Sequence, residues 1–177
     1  MKNIECGNDE LLGKLFEFLV NNGLENAHIR DMCKNTNVAQ GSLYYRFGDK
    51  TNIICKATEY GIKKITDNVI RGVCKPSMSF SKCEQIIKEN QKALRFIYQA
   101  AVSPAYGKRI RKSWDKNNSL YDKYAEKLSV IHNINKDALY PIVYLYISAV
   151  MEYAVWDDKV KLKSQFDFLA SILLRAK

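Results

Sequence analysis

The chain is poor in the residues that interrupt helices. Three prolines and eight glycines are spread over 177 residues, too few for a turn-rich β architecture, so long uninterrupted helices are expected. Catalytic signatures are missing too: there is no G-x-S-x-G, no glycine-rich phosphate loop, no H-E-x-x-H, and there are only two histidines. Catalysis therefore has no obvious place to sit, and no cofactor is expected. Cys6, Cys33, Cys55, Cys74 and Cys83 are odd in number, irregularly spaced and never form C-x-x-C. That argues against a disulfide framework or a zinc site, and the thiols read as small buried groups in a reduced cytoplasm. A thiol sensor, the sharper alternative, would need an exposed cysteine of low pKa. No run of about 18 apolar residues is evident and residues 1–10 are polar and acidic, so neither a membrane span nor a signal peptide is expected.

With 47% hydrophobic and 27% charged residues, the composition suits one or two globular domains that bury a core without staples. The formal net charge of +9 is unevenly placed: residues 1–60 hold seven Lys/Arg against eight Asp/Glu, and residues 61–177 hold twenty-one against eleven. Global charge is thus no argument for a nucleic-acid partner, and any such argument has to be local.

Helical periods run along the chain. Leu12, Leu15, Phe16 and Leu19, widened by Leu11 and Phe18, predict a first helix over residues 9–22 that Asn22 and Gly23 end. Ile29, Met32, Cys33 and Thr36 give a short second helix; Asn37 is the non-glycine residue that best tolerates a left-handed pivot, and Leu43 and Phe47 define the buried side of a third. Gly48 and Asp49 read as a turn and cap, and Ile53, Ile54, Ala57, Tyr60, Gly61, Ile65 and Val69 carry one long helix from Lys50 to Arg71. Gly72 to Ser81, with Pro76, is the one linker-like stretch. Further helices are expected at 82–101, 105–114, 117–130, 136–156 and 163–176. The domains read as 1–50, a connecting helix 51–71, and 72–177.

The stretch from Asn26 to Lys50 holds the chemistry. At about 100° per residue, Gly41, Ser42 and Tyr45 leave the third helix opposite Leu43 and Phe47, with Tyr44 and Arg46 flanking them. That outer face carries donors and no acid. Arginine and glutamine can reach base edges, hydroxyls can bind phosphate oxygens, and Gly41 lets backbone approach backbone, as a recognition helix requires. Lys50 stands at a helix N-terminus, where amide groups and an ammonium together suit a phosphate. His28 reads as a helix cap, with Asp31 reaching back and Asn26 competing, or as a phosphate contact; a plain surface histidine is the bland alternative, and a metal ligand would lack partners.

These residues also resemble a known family. The run Ala39, Gln40, Gly41, Ser42, Leu43, Tyr44, Tyr45, Arg46, Phe47, Gly48, Asp49, Lys50, following Met32, Cys33 and Asn37, Val38, is similar to the signature of tetracycline-repressor-type (TetR/AcrR) regulators. The likeness covers roughly a quarter of the chain. It departs in Asn37, where the turn glycine is usual, in Ala39, where Ser is common, and in His28, where a Thr often caps; the last two remove hydroxyls that in the family can touch phosphate.

The resemblance implies an all-α chain in which a three-helix, helix-turn-helix DNA-binding domain is joined by a long helix to a larger helical ligand-binding and dimerisation domain. It implies a one-component regulator, a repressor rather than an activator, that binds a palindromic double-stranded DNA operator as a homodimer and is released by a small molecule. The DNA-binding residues would be His28, Arg30, Gln40, Gly41, Ser42, Tyr44, Tyr45, Arg46 and Lys50. Residues 139–154 and 166–175 offer more apolar surface than one subunit needs, which fits a two-fold dimer. Tyr98, Trp114, Tyr121 and Tyr144 can line an effector cavity, with Glu152 the acid expected to point inward from its apolar run. Few inward acids and excess positive charge favour a neutral or anionic, partly aromatic or lipophilic effector. Lys108 to Lys112, the strongest basic cluster, reads as a solvated face. The competing functions are an all-helical enzyme or small-molecule carrier without a DNA role, and a purely architectural DNA binder, which would leave the aromatic second part unexplained.

Overall fold

The computed structural model describes residues 7–73, 79–116 and 118–175, and among them all regular structure is helical. The order is α1 (Asn8–Asn22), α2 (Ile29–Thr36), α3 (Gln40–Phe47), α4 (Lys50–Gly61), a π-helical turn (Ile62–Thr66), α5 (Asp67–Val73), α6 (Phe80–Val102), α7 (Gly107–Lys116), α8 (Asn118–His132), α9 (Lys136–Trp156) and α10 (Lys159–Arg175). They form two compact units. The first joins residues 1–64 to 96–114, and the second joins 65–95 to 115–177.

In the first unit α1 buries Leu11, Leu15, Phe16, Phe18 and Leu19, as its spacing predicts. Gly23, at φ 75°, ends the helix and donates its amide to the Leu19 carbonyl. Leu43 and Phe47 from α3, Met32 from α2 and Ile53, Ile54 and Ala57 from α4 complete a core with little or no exposure. The sequence reading did not anticipate that residues 96–114 belong here. Phe96 sets its ring edge-on to Phe16 with centroids 5.9 Å apart, and Phe96, Ile97, Ala100 and Ile110 are buried. Gly61 is the close-approach position of α4, because a Cβ there would lie 2.1 Å from the Phe16 ring.

The helix expected over residues 50–71 is helical throughout but widens at Ile62–Thr66 into a π turn, which inserts one residue into the α-helical pattern. The linker expected between Gly72 and Ser81 has its middle, residues 74–78, outside the described residues. Gly72 itself still belongs to α5.

The second unit is built around α9. Leu139, Val143, Tyr146, Ile147, Ala149, Val150, Tyr153 and Ala154 are buried on it, packed with Val69, Ile70, Ile87, Leu94, Leu128, Leu162, Leu169 and Leu173. By length and composition alone this helix is apolar enough to cross a membrane, a test that the core helix of a globular unit also passes. The side chains it buries make it the core helix of the unit. Its C-terminal end is closed by Asp157 in the left-handed region at φ 59°. Arg95 Nε and Gln91 Nε2 of α6 donate to the Ala154 carbonyl at 2.7 and 3.1 Å.

Three cysteines, Cys33, Cys55 and Cys83, lie among the described residues and all are free thiols. Burial pushes each of them up, which disfavours the reactive thiolate a sensor would need. Cys6 and Cys74 lie outside the described residues.

Candidate nucleic-acid interface

Helices α2 and α3 meet through Asn37, which adopts the left-handed conformation at φ 54°, ψ 36° that its position as pivot predicts. The Val38 amide donates back to the Cys33 carbonyl at 3.2 Å. Beneath the turn the buried Thr36 hydroxyl donates to the Met32 carbonyl at 2.7 Å, so the end of α2 satisfies itself. With Leu43 and Phe47 turned into the core, α3 must show its other side, and Tyr45 is 92% exposed. Gln40 and Gly41 are exposed beside it, while Ser42, Tyr44 and Arg46 are half-buried flanks. The angular reading of this helix holds for Gly41, Tyr44, Tyr45 and Arg46, while Ser42, expected to point fully outward, is half-buried.

Gly41 is informative because nothing in the protein requires it. A Cβ on it would meet no heavy atom within 4 Å, so its lack of a side chain leaves an open approach to the α3 backbone. No side chain caps that end, since Ala39 stands at the capping position. A helix N-terminus in this condition presents amide groups and the positive end of the helix dipole to an anion. The N-terminus of α4 differs: Asp49 Oδ1 accepts from the Asn52 amide at 2.7 Å, so a carboxylate already serves one of its amides. The phosphate capacity expected at this second end falls on the ammonium of the half-buried Lys50.

His28 occupies the residue before α2 with extended backbone, but its side chain makes no capping hydrogen bond. The capping box read from the sequence is thus not formed. Asn26 turns the other way and donates to the Asn22 carbonyl at 3.0 Å, and Asp31 sits 3.7 Å from the Lys34 ammonium. His28 and Arg30 are both exposed at the start of α2.

The residues expected around an effector are not drawn together in the same way. Tyr121 and Tyr144, both in the second unit, stack edge to face at 6.0 Å, Tyr121 buried and Tyr144 49% exposed. Tyr98 belongs to the first unit, and the side chain of Trp114 lies outside the described residues. Glu152 does not point inward as its apolar neighbours suggested: it pairs with Lys161 of α10. Among the described residues Glu84, which the sequence reading passed over, is an acid turned inward, with its side chain 15% exposed. It accepts from the Tyr153 hydroxyl at 2.8 Å and from Lys159 at 2.9 Å, with Lys88 at 3.2 Å. Hydrogen bonds from Lys159, Tyr153 and Lys88 hold its carboxyl down to about 2. Its pairing with Lys88 four residues on was legible; its burial against Tyr153 was not.

The basic run is a solvated face, as read: Lys108, Arg109, Arg111 and Lys112 are all exposed around the fully buried Ile110. Within that face Arg111 donates to the Ala101 carbonyl at 2.6 Å, and Arg109 reaches Asn52 of α4.

No family model and no curated protein matches the chain. Solved structures do share its fold. An inferred transcriptional regulator from Pseudomonas aeruginosa PAO1 is similar with a TM-score of 0.55 at 12% identity, over 93% of this chain and 86% of that one. A transcriptional regulator from Rhodococcus sp. Rha1 is similar with a TM-score of 0.59 at 15% identity, over 96% of this chain and 97% of that one.

Proposed function

We propose that the chain is a transcriptional regulator of the tetracycline-repressor type, a homodimer that reads a palindromic operator and is released by a small molecule. The observation that carries this reading is α3: a helix with a fully buried inner side, an outer face of donors without acids, an uncapped N-terminus and a glycine in open space. The first three helices are the reading head, and residues 51–71 connect it to an effector-binding and dimerising part within 72–177. Likeness to the two regulators supports the fold on which this rests.

In this reading Gln40, Tyr45 and Arg46 face base edges and phosphates, Ser42 and Tyr44 offer hydroxyls, and Lys50, His28 and Arg30 lie along the backbone of the duplex. The direct test is selection: the wild-type protein is incubated with random-sequence duplexes, and bound molecules are sequenced through several rounds. Enrichment of an inverted repeat supports the reading, and no enrichment at moderate salt overturns it. On the enriched duplex, Arg46→Ala should cost about 1–3 kcal/mol per half-site and relax base preference if Arg46 makes a bidentate base contact. Lys50→Ala should weaken all duplexes alike and flatten the salt dependence. A sequence-selective effect of Lys50→Ala would contradict its assigned role.

Gly41→Ala separates fold from function by sign. Replacing a helical glycine by alanine in open space should stabilise the protein by about 0.5–1 kcal/mol. The same methyl would stand between the α3 backbone and a phosphate, so affinity for the enriched duplex should fall. A stabilised variant that binds DNA as well as the wild type would remove Gly41 from the interface.

For the effector, the Tyr121 and Tyr144 pair is the aromatic wall we assign within the second unit. Glu152, the acid expected to face a cation, is engaged by Lys161, which supports a neutral or anionic ligand. In a thermal-shift screen such compounds should raise the melting temperature with concentration; shifts by lipophilic cations alone would refute the assignment.

A further inference from the structure

The corner between α3 and α4 is held from outside the reading head. Gly48 ends α3 with φ 89°, Asp49 caps α4 through the Asn52 amide at 2.7 Å, and the Ile53 amide donates to the Asp49 carbonyl at 3.0 Å. Asn52 is the hinge pin of this corner. Its Nδ2 lies 3.0 Å from where a Cβ on Gly48 would sit, and its Oδ1 accepts a hydrogen bond from Arg109 Nη1 of α7. The same guanidinium places Nε 3.7 Å from Glu59 Oε1, two turns further along the same face of α4. One planar group thus spans two positions of α4, as a five-donor fork can and an ammonium cannot.

The arginine is itself fixed. Ile110 beside it is fully buried, Arg111 is tied to the Ala101 carbonyl, and the Gly107 amide donates to the Ser103 carbonyl at 2.7 Å. Gly107 packs so closely that a Cβ would stand 2.5 Å from the Ala101 carbonyl oxygen. All these residues belong to the first unit.

We propose that Arg109 is a positioning residue for the nucleic-acid interface: by gripping Asn52 and Glu59 it sets the Gly48–Lys50 corner, and with it the pose of α3 and of the Lys50 ammonium. This rests on the DNA-binding reading above. It predicts that Arg109 makes no phosphate contact of its own and acts only through Asn52.

The test is a double-mutant cycle on the duplex enriched by the wild-type protein, with Arg109→Gln, Asn52→Ala and the double variant, read out as affinity at several salt concentrations. Each single change should weaken binding about 5- to 20-fold, the double change no further, and the slope of affinity against salt should stay that of the wild type. Amide hydrogen exchange at Asn52 and Ile53 should quicken in Arg109→Gln while the melting temperature barely moves, because an exposed ion pair adds little stability. Arg109→Lys should recover only part of the affinity. Additive losses, a flattened salt slope or undiminished affinity would overturn the positioning role while leaving the DNA reading intact. Failure of the wild-type protein to enrich any duplex would overturn both.

Discussion

Gly61→Ala is expected to destabilise the protein by about 2 kcal/mol, which lowers the melting temperature by roughly 4–8 °C. The sign is the point, because alanine is the better helix former and by intrinsic propensity would stabilise by about 0.5–1 kcal/mol. Packing reverses this. The added Cβ would stand 2.1 to 2.3 Å from three atoms of the Phe16 ring, and that ring is 8% exposed and already set edge-on against Phe96. It can yield only by disturbing two helices at once. Phe16→Leu in the Gly61→Ala background should recover part of the loss. A calorimetric melting temperature unchanged or raised in Gly61→Ala would refute the close approach.

Leu145→Glu combined with Phe168→Glu is expected to give a folded monomer with operator affinity reduced roughly 100-fold or more, since two linked half-sites bind far more tightly than one. These two side chains are 52% and 49% exposed on α9 and α10, and Tyr144 and Trp156 add to the same kind of surface on α9. Ile172 is a poorer probe: it packs against the core of the second unit, so a charge there would disrupt the unit and report nothing on assembly. Sedimentation of the wild-type protein and the double variant decides the matter. A wild-type monomer at micromolar concentration would end the dimer proposal.

What the sequence made legible was local. The helix faces of α1, α2 and α3, the left-handed Asn37 and the Asp49 cap all follow from neighbours within a turn or two, where period and backbone preference act directly. Tyr45 was placed outward by the same arithmetic. What stayed hidden was pairing across distance. Nothing in the period of residues 96–114 says that Phe96 will meet Phe16, or that Arg109 will leave the basic run for Asn52. Glu152 and Glu84 make the same point from two sides. Glu152 sits among apolar residues and Glu84 in a polar stretch, but for each the partner that decides its direction lies on another helix, Lys161 for one and Tyr153 with Lys159 for the other. The π turn was equally invisible, because an apolar stripe tolerates one inserted residue before its phase is visibly lost.

The interleaving of the two units along the chain has a consequence for biosynthesis. A ribosome delivers residues in order, so the first unit cannot close when Lys64 emerges; it waits for residues 96–114, while the opening third of the second unit hangs between them as a loop without its partners. The second unit waits longer still. Its most apolar segment, α9, meets α10 only after a further seventeen-residue helix has been made. During that interval the apolar side chains of α9 that α10 later covers stand uncovered, so a chain ending before α10 should be aggregation-prone.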